Sequence, residues 1–253
     1  MKKNKAPQFV KKFLLFPLTA MLVSCGLETY VYFYPVTDIF TPSGGTSRTS
    51  TITLPSSQPP EFTNYLIYYR IYLTNLSNAE VPTFTGVTSD ILYAVNPQLA
   101  SHYAYLEQFT LDDYTPTSSI DMEFRNRGYF ALSVSPDGIN EKPIEQVLDT
   151  ITGTLQIMFF DDPYPSLTDT SNNKYYLFRA KDFTSQPGRR FTNPDQLENY
   201  TPTNLVNADV QFKADASPTP YAYVSMYIVA SGYDTYYAPI YSRPTLIGIF
   251  PIP

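Results

Sequence analysis

Residues 65–73 read YLIYYRIYL, and this pattern decides the predicted fold. Alternate residues of an extended strand face opposite sides, so one face would carry Tyr65, Ile67, Tyr69, Ile71 and Leu73. The other face would carry Leu66, Tyr68, Arg70 and Tyr72. Both faces are rich in apolar atoms, which is typical of a strand that is covered on both sides. The segment is therefore predicted to be a central strand.

The other strand candidates come in runs, with helices inserted among them. They span residues 27–36, 49–54, 120–124, 130–134, 155–160, 175–180, 221–231 and 245–252, with a hairpin turn or bulge at 126–128. Asn96-Pro97 is predicted to open a helix, because Asn caps helices and Pro is favoured at their first position. Pro143 starts a second short helix, and Asn193-Pro194 opens one helical turn. This order favours an all-β fold, an antiparallel β-sandwich with short helical insertions.

Three parts of the chain resemble a fibronectin type III or immunoglobulin-like domain. Residues 65–73 look like its third strand, and 222–230, Gly232 and Ser242-Arg243-Pro244 look like its last two strands. The tryptophan usual in the second strand is absent, and the late-strand tyrosine is out of register. The resemblance implies a sandwich but no activity. Residues 85–200 would then be an insertion or a second domain.

The amino terminus has the pattern of a signal peptide. Residues 1–12 contain five lysines and no acidic residue, and an uncharged apolar run follows at 13–23. Eleven helical residues rise only about 16 Å, which is too short for the roughly 30 Å of bilayer hydrocarbon. A basic segment before a short apolar segment predicts an export signal over residues 1–24.

Leu22-Val23-Ser24-Cys25 resembles the lipobox of bacterial lipoproteins. The resemblance implies cleavage before Cys25, a diacylglycerol on its thiol, and a mature body of residues 25–253. Cys25 is the only cysteine, and lipidation would remove an otherwise unpaired thiol from an exported chain. In lipoproteins of this type, a residue other than Asp after the cysteine, here Gly26, implies the outer membrane rather than the inner one. The alternative is an ordinary signal peptide whose cleavage region happens to contain a cysteine.

Composition and charge limit the partners. Loss of the five amino-terminal lysines would change the formal net charge from −6 to −11. Such an acidic chain repels polyanions, so nucleic acid and anionic lipid headgroups are poor candidates for partners. The chain has 23 Tyr, 17 Phe and 23 Pro but no Trp, which indicates short strands joined by turns. With its lipobox-like motif and many tyrosines, the chain also resembles Tyr-rich hypothetical lipoproteins of spirochaete type.

No catalytic constellation is evident. The single histidine, His102, is predicted to be a surface residue of the first helix, because no second ligand or nucleophile accompanies it. The pairs Asp112-Asp113 and Asp161-Asp162 lie in sequence typical of turns, although two carboxylates in a cleft would suit glycoside hydrolysis. No cofactor is expected.

Two loop motifs suggest weaker sites. Asp169, Ser171 and Asn173 have the spacing that opens a calcium loop, but Lys174 and Ala180 stand where an EF-hand needs Gly and Glu. A looser calcium site stays open as an alternative. Gly188-Arg189-Arg190 is a small basic segment, more typical of a solvated turn.

The tyrosines are the best candidates for binding. Tyr30, Tyr32 and Tyr34, and separately Tyr233, Tyr236 and Tyr237, would form an exposed aromatic patch for a protein or a glycan. For any single tyrosine the favoured interpretation is instead a half-buried sheet residue whose hydroxyl reaches the solvent.

These observations predict a non-enzymatic lipoprotein of the cell envelope, held to a membrane by acyl chains on Cys25 and binding a protein or a glycan. The first alternative is a periplasm-facing accessory or structural lipoprotein. The second is a hydrolase that uses two distant carboxylates.

Overall fold

The strands form two sheets in the computed structural model, which describes residues 32–40, 48–74, 89–107, 119–148, 152–159, 165–179, 191, 209–211 and 221–252. The first sheet is antiparallel throughout. Its strands are, in spatial order, β1 (Asp38–Phe40), β2 (Thr49–Thr53), β7 (Thr154–Met158), β8 (Ser166–Thr168), β9 (Lys174–Phe178), β5 (Ser133–Ser135) and β6 (Lys142–Pro143).

The second sheet is built on two long antiparallel strands, β3 (Phe62–Thr74) and β11 (Tyr221–Tyr233), in a register that places Tyr68 opposite Tyr227. The outer edge of β3 pairs with β4 (Phe130–Ala131) and with β10 (Val210–Gln211), and the β10 pairing is parallel. The outer edge of β11 pairs with β12 (Pro239–Tyr241) and β13 (Thr245–Pro251). The prediction that residues 65–73 form a central strand is confirmed.

The two sheets pack face to face. The ring of Phe159 stacks on that of Phe250 with centroids 4.9 Å apart, and the Ser50 hydroxyl donates to the Ile247 carbonyl at 3.2 Å. These contacts join β2 and the end of β7 to β13. The predicted antiparallel β-sandwich is therefore confirmed, while its resemblance to fibronectin type III or immunoglobulin-like domains stays a prediction.

Short helices cover the other face of the second sheet. They are α1 (Ser89–Val95), α2 (Pro97–Glu107) and α3 (Ser119–Asn126), and a further helix, α4 (Glu145–Leu148), follows β6. Two clusters of buried residues join this layer to the sheet: Leu92, Val95 and Leu99 pack around Tyr72 and Tyr223, and Leu106, Ile120 and Phe124 pack around Tyr68 and Tyr227. Helices on one face and a sheet on the other explain why both faces of β3 are apolar.

The helix predicted at Asn96-Pro97 is confirmed. The Asn96 side-chain oxygen accepts a hydrogen bond from the Gln98 amide at 2.9 Å, which caps α2. Its side-chain nitrogen donates to the Leu73 carbonyl at 3.0 Å and ties the cap to the end of β3. The preceding helix, α1, was not predicted.

The predicted strand at residues 120–124 is wrong, because these residues lie in α3. Ile120 and Phe124 are buried four positions apart, whereas Met122 between them is 57% exposed. Arg125 and Asp121 form an i,i+4 ion pair that also suits a helix. The predicted turn or bulge at 126–128 is instead the end of this helix, with Gly128 at a φ of 68°.

Two further boundaries are corrected. Residues 32–36, within the strand predicted at 27–36, are irregular, because their buried residues Phe33 and Val36 are three positions apart rather than two. Pro143 lies in β6, and the helix begins at Glu145. The described residues form one compact unit. Among the described residues, no helix has the length and apolar character needed to cross a bilayer.

Candidate interaction surface

The hairpin between β11 and β12 is organised by Asp234. The Tyr237 amide donates to the Asp234 carbonyl at 3.0 Å, which closes a β-turn, and the Asp234 amide donates to the Ala238 carbonyl at 2.9 Å. One oxygen of the Asp234 carboxylate accepts hydrogen bonds from the amides of Tyr236 and Ala238, each at 2.8 Å. The backbone–backbone hydrogen bonds and the bonds to the Asp234 carboxylate together fix the backbone of this turn.

The three tyrosines predicted for the patch are exposed on this hairpin. Tyr233 is 52% exposed at the end of β11, and Tyr236 and Tyr237 at the tip are 88% and 86% exposed. For Tyr236 and Tyr237 the interpretation as half-buried sheet residues is wrong, whereas Tyr233 lies in β11 and is about half-exposed, as that interpretation describes. Their role in binding stays a prediction.

Tyr237 has a backbone conformation that bulky residues rarely adopt. Its φ is 62°, in the left-handed region where glycine is the usual residue after a type I turn. Such a conformation costs on the order of 1–2 kcal/mol in a residue that has a Cβ atom. Tyrosine at this position therefore destabilises the turn. Residues held in such unfavourable backbone conformations are found more often at functional surfaces than elsewhere.

Residues 32–36 lie beside this hairpin. A Cβ atom on Gly232 would come within 2.6 Å of the Phe33 ring, and the Tyr233 amide donates to the Glu61 carbonyl at 3.1 Å. Phe33 also packs edge-on against Phe62 with ring centroids 6.1 Å apart. The start of β3, the end of β11 and residues 32–36 therefore meet at one end of the second sheet.

Gln58 fixes the backbone at Tyr34. Its side-chain oxygen accepts from the Tyr34 amide at 3.0 Å, and its nitrogen donates to the Tyr34 carbonyl at 2.8 Å and to the Tyr65 hydroxyl at 3.1 Å. The Tyr34 side chain is itself 52% exposed. We call the exposed group Tyr34, Tyr233, Tyr236 and Tyr237 the tyrosine end.

His102 is not the simple surface residue that was predicted. It is half-buried on α2, and its Nδ1 is hydrogen-bonded to the Tyr72 hydroxyl at 2.8 Å. Tyr72 in turn donates to the Tyr129 hydroxyl at 3.0 Å. A polar chain thus runs from the helix layer into the sheet. An alternating pattern along one segment carries no signal for such a contact, because Tyr72 and Tyr129 lie 30 and 27 residues from His102 in the sequence.

The surroundings of His102 are positively charged. Burial, then Arg70, then Arg127, lower the pKa of His102 to about 4. Arg70 is buried, donates to the Gln211 side chain at 2.5 Å, and packs its guanidinium against Gly128. Among the described residues, no carboxylate forms an ion pair with Arg70. At neutral pH the imidazole is therefore uncharged, and it is hydrogen-bonded to the Tyr72 hydroxyl.

Asp209 forms a buried ion pair that the sequence did not reveal. Its carboxylate receives bonds from the Arg179 guanidinium, including Nε at 2.7 Å, and from the Tyr69 hydroxyl at 2.8 Å. Arg179 follows β9 of the first sheet, and Asp209 precedes β10 of the second. The pair therefore links the two sheets, and both charges are compensated.

Asp169, Ser171 and Asn173 lie close together, but they are hydrogen-bonded to one another instead of forming a set of calcium ligands. One Asp169 carboxylate oxygen accepts from the amides of Ser171 and Asn173, each at 2.8 Å, and the other accepts from the Asn173 side chain at 2.8 Å. Ser171 and Asn173 thus present N–H donors to Asp169. Throughout the described ranges, no three His, Cys, Asp or Glu residues come together as a metal site would require.

Several predicted residues lie outside the described part of the chain. They are Cys25 and the lipobox, Tyr30, Asp112-Asp113, Asp161-Asp162, Gly188-Arg189-Arg190 and Asn193-Pro194. Comparison with known proteins adds no relative, because no family model, curated protein or solved structure matches the chain.

Proposed function

We propose that this chain is a lipid-anchored protein of a bacterial cell envelope, held to the outer membrane by acyl chains on Cys25. The proposal is supported by the five lysines of residues 1–12, the short apolar run and the Leu22-Val23-Ser24-Cys25 motif. Two or three acyl chains hold a protein to a bilayer far more firmly than one chain does.

We further propose that the body acts by binding, without catalysis, and that its ligand is a protein or a glycan. The observation that carries this proposal is the rigid hairpin with Tyr236 and Tyr237 exposed at its tip. Tyrosine offers a large amphipathic contact surface at little conformational cost, and a turn held by Asp234 presents it in a fixed place. The fibronectin type III or immunoglobulin-like character of the sandwich belongs to this proposal as well.

A hydrolase is the less favoured function. It would need two carboxylates about 5–10 Å apart in a cleft, one of them able to hold a proton. Asp169 and Asp234 accept hydrogen bonds within their own turns, and Asp209 is paired with Arg179. These three carboxylates therefore already have structural partners.

The proposal is tested on cells that make the native protein or a Cys25→Ala variant. The cells are separated into membrane and soluble fractions, and intact cells are also treated with protease, with a periplasmic protein as the control. We expect the native protein in the membrane fraction with acyl chains detectable by mass spectrometry, and the variant in the soluble fraction. Retention of the variant in the membrane, or an unmodified Cys25, would contradict the anchor.

The same digestion separates a surface binder from the periplasm-facing alternative. Cleavage on intact cells supports a surface-exposed body that meets external proteins or glycans. Protection until the outer membrane is opened supports an accessory role among envelope partners.

A further inference from the structure

The first residues that the structure describes, 32–36, lie at the tyrosine end. Tyr32 follows Cys25 by seven residues, and seven residues span at most about 25 Å when fully extended. Tyr32 is followed at once by Phe33, which packs against Gly232 and Phe62. An anchor on Cys25 would therefore hold this end of the body within about 25 Å of the lipid surface.

The opposite end of the second sheet lies much farther from the anchor. β11 runs for 13 residues from Tyr221 to Tyr233, which corresponds to roughly 40 Å of strand. Tyr221 is also exposed, at 41%, but it stands at the end of β11 remote from Phe33. The distance from Cys25 therefore limits the tyrosine end to the neighbourhood of the bilayer, whereas the Tyr221 end can lie up to roughly 40 Å farther away.

The chemistry of the tyrosine end suits the interface between headgroups and acyl chains. Tyr side chains have an apolar ring and a polar hydroxyl, and they are enriched at this depth in membrane proteins. The tip residues Asp234 to Ala238 include no lysine or arginine, and the carboxylate of Asp234 accepts hydrogen bonds within the turn. Attraction to anionic lipid is therefore not expected, and a zwitterionic surface fits better.

We propose that Tyr34, Tyr236 and Tyr237 lie in the headgroup region of the bilayer that holds Cys25, and so fix the orientation of the body on the membrane. This inference rests on the proposed lipid anchor. The strained backbone of Tyr237 fits the same role, because glycine would suit the turn but would contribute no aromatic ring. The bilayer would then occupy the hairpin tip in place of a protein or a glycan, so this inference keeps the proposed anchor and is an alternative to the proposed ligand, and the test below separates the two.

The absence of tryptophan from the chain makes a direct test practical. Tyr236→Trp and Tyr34→Trp each place one fluorophore at the tyrosine end, and Tyr221→Trp is the matched control at the other end of β11. The acylated full-length mature protein is reconstituted in phosphatidylcholine vesicles that contain doxyl-labelled phosphatidylcholine. We expect at least twofold quenching and a blue-shifted emission for Tyr236→Trp and Tyr34→Trp, with little change for Tyr221→Trp.

Other outcomes have distinct meanings. Unquenched emission from both tyrosine-end variants in protein that co-sediments with the vesicles would overturn the docking inference and leave the anchor intact; the tyrosine end would then be open to a protein or a glycan. Equal quenching of all three variants would overturn it too. Quenching that appears only when phosphatidylglycerol replaces part of the lipid would contradict the zwitterionic preference. Failure of the native protein to co-sediment, with Cys25 unmodified, would instead contradict the proposed function.

Discussion

Tyr237 occupies, in the turn between β11 and β12, the position that Asn172 occupies in the turn between β8 and β9. Their φ angles are 62° and 60°, and each turn begins with an Asp-Thr pair. In both turns the aspartate carboxylate accepts from the amides two and four residues later, all at 2.8 Å. Asparagine tolerates this conformation, whereas tyrosine does not favour it, so the β8–β9 turn is an internal reference for the strain at Tyr237.

Tyr237→Gly is expected to stabilise the protein. Relief of left-handed strain outweighs the additional flexibility of glycine in the unfolded chain, and we expect the free energy of unfolding to rise by about 1 kcal/mol. Urea denaturation followed by circular dichroism measures the change.

Asn172→Gly is the control for this substitution. Because Asn already tolerates the left-handed region, we expect a change within about 0.5 kcal/mol. A loss of stability in Tyr237→Gly would show that the Tyr237 side chain stabilises the fold and is not strained there.

Gly128→Ala is expected to destabilise the protein strongly. A Cβ atom at this position would lie 1.8 Å from the Arg70 guanidinium, at a backbone φ of 68°. The collision adds to the backbone strain, and displacement of a buried cation is costly, so we expect a loss of about 3 kcal/mol or more.

Gly138→Ala separates the two effects. Gly138 has a φ of 74°, but its nearest neighbour would be the Tyr176 ring at 3.4 Å, an ordinary contact. We expect only the cost of strain, about 1–2 kcal/mol. Equal losses for the two variants, measured by thermal and urea unfolding, would mean that Arg70 moves aside without penalty.

The ion pair between Arg179 and Asp209 provides a prediction on the interface between the sheets. Arg179→Met removes the cation that compensates the buried Asp209 carboxylate and leaves the hydrogen bond from the Tyr69 hydroxyl, so we expect a loss of about 3–5 kcal/mol. The double variant Arg179→Met with Asp209→Leu removes both charges and is expected to lose less than the sum of the single variants. A double-mutant cycle in urea measures the coupling, and additive losses would contradict a direct pair.

His102 predicts a specific dependence on pH. Its folded-state pKa of about 4 lies below the ordinary value of 6.5, so the unfolded chain binds a proton that the folded chain does not bind between these values. Stability from this residue is therefore complete above about pH 6.5 and is lost as the pH falls toward 4.

His102→Gln removes this titration but keeps a side chain that can bond to Tyr72. Because the group is only half-buried, we expect the loss of unfolding free energy between pH 7 and 4.5 to be smaller in the variant by about 1–2 kcal/mol. His102 is the single histidine, and the carboxylates titrate in both proteins, so the difference isolates this residue. The same pH dependence in both would contradict the half-buried position of His102 beside Arg70 and Arg127.

The sequence by itself determined the elements whose residue patterns are long or chemically distinctive. The two strands β3 and β11 each carry a long run of apolar residues, which few other structures accommodate. The cap at Asn96 and the exposure of Tyr236 and Tyr237 follow from local chemistry, because capping and turn residues act within a few positions. These features sufficed to predict a sandwich and to suggest an exposed aromatic patch, whereas the hairpin that carries Tyr236 and Tyr237 was not predicted.

Only the tertiary structure decided the features that depend on distant partners. Ile120, Met122 and Phe124 suit a strand equally well by spacing, and packing of Ile120 and Phe124 against Tyr68 makes the segment a helix. Asp209 meets Arg179 across two sheets, and Phe33 meets Gly232 from the far end of the chain. Burial, charge compensation and close contact depend on positions in space, and a periodic pattern along one segment specifies only which side chains share a face.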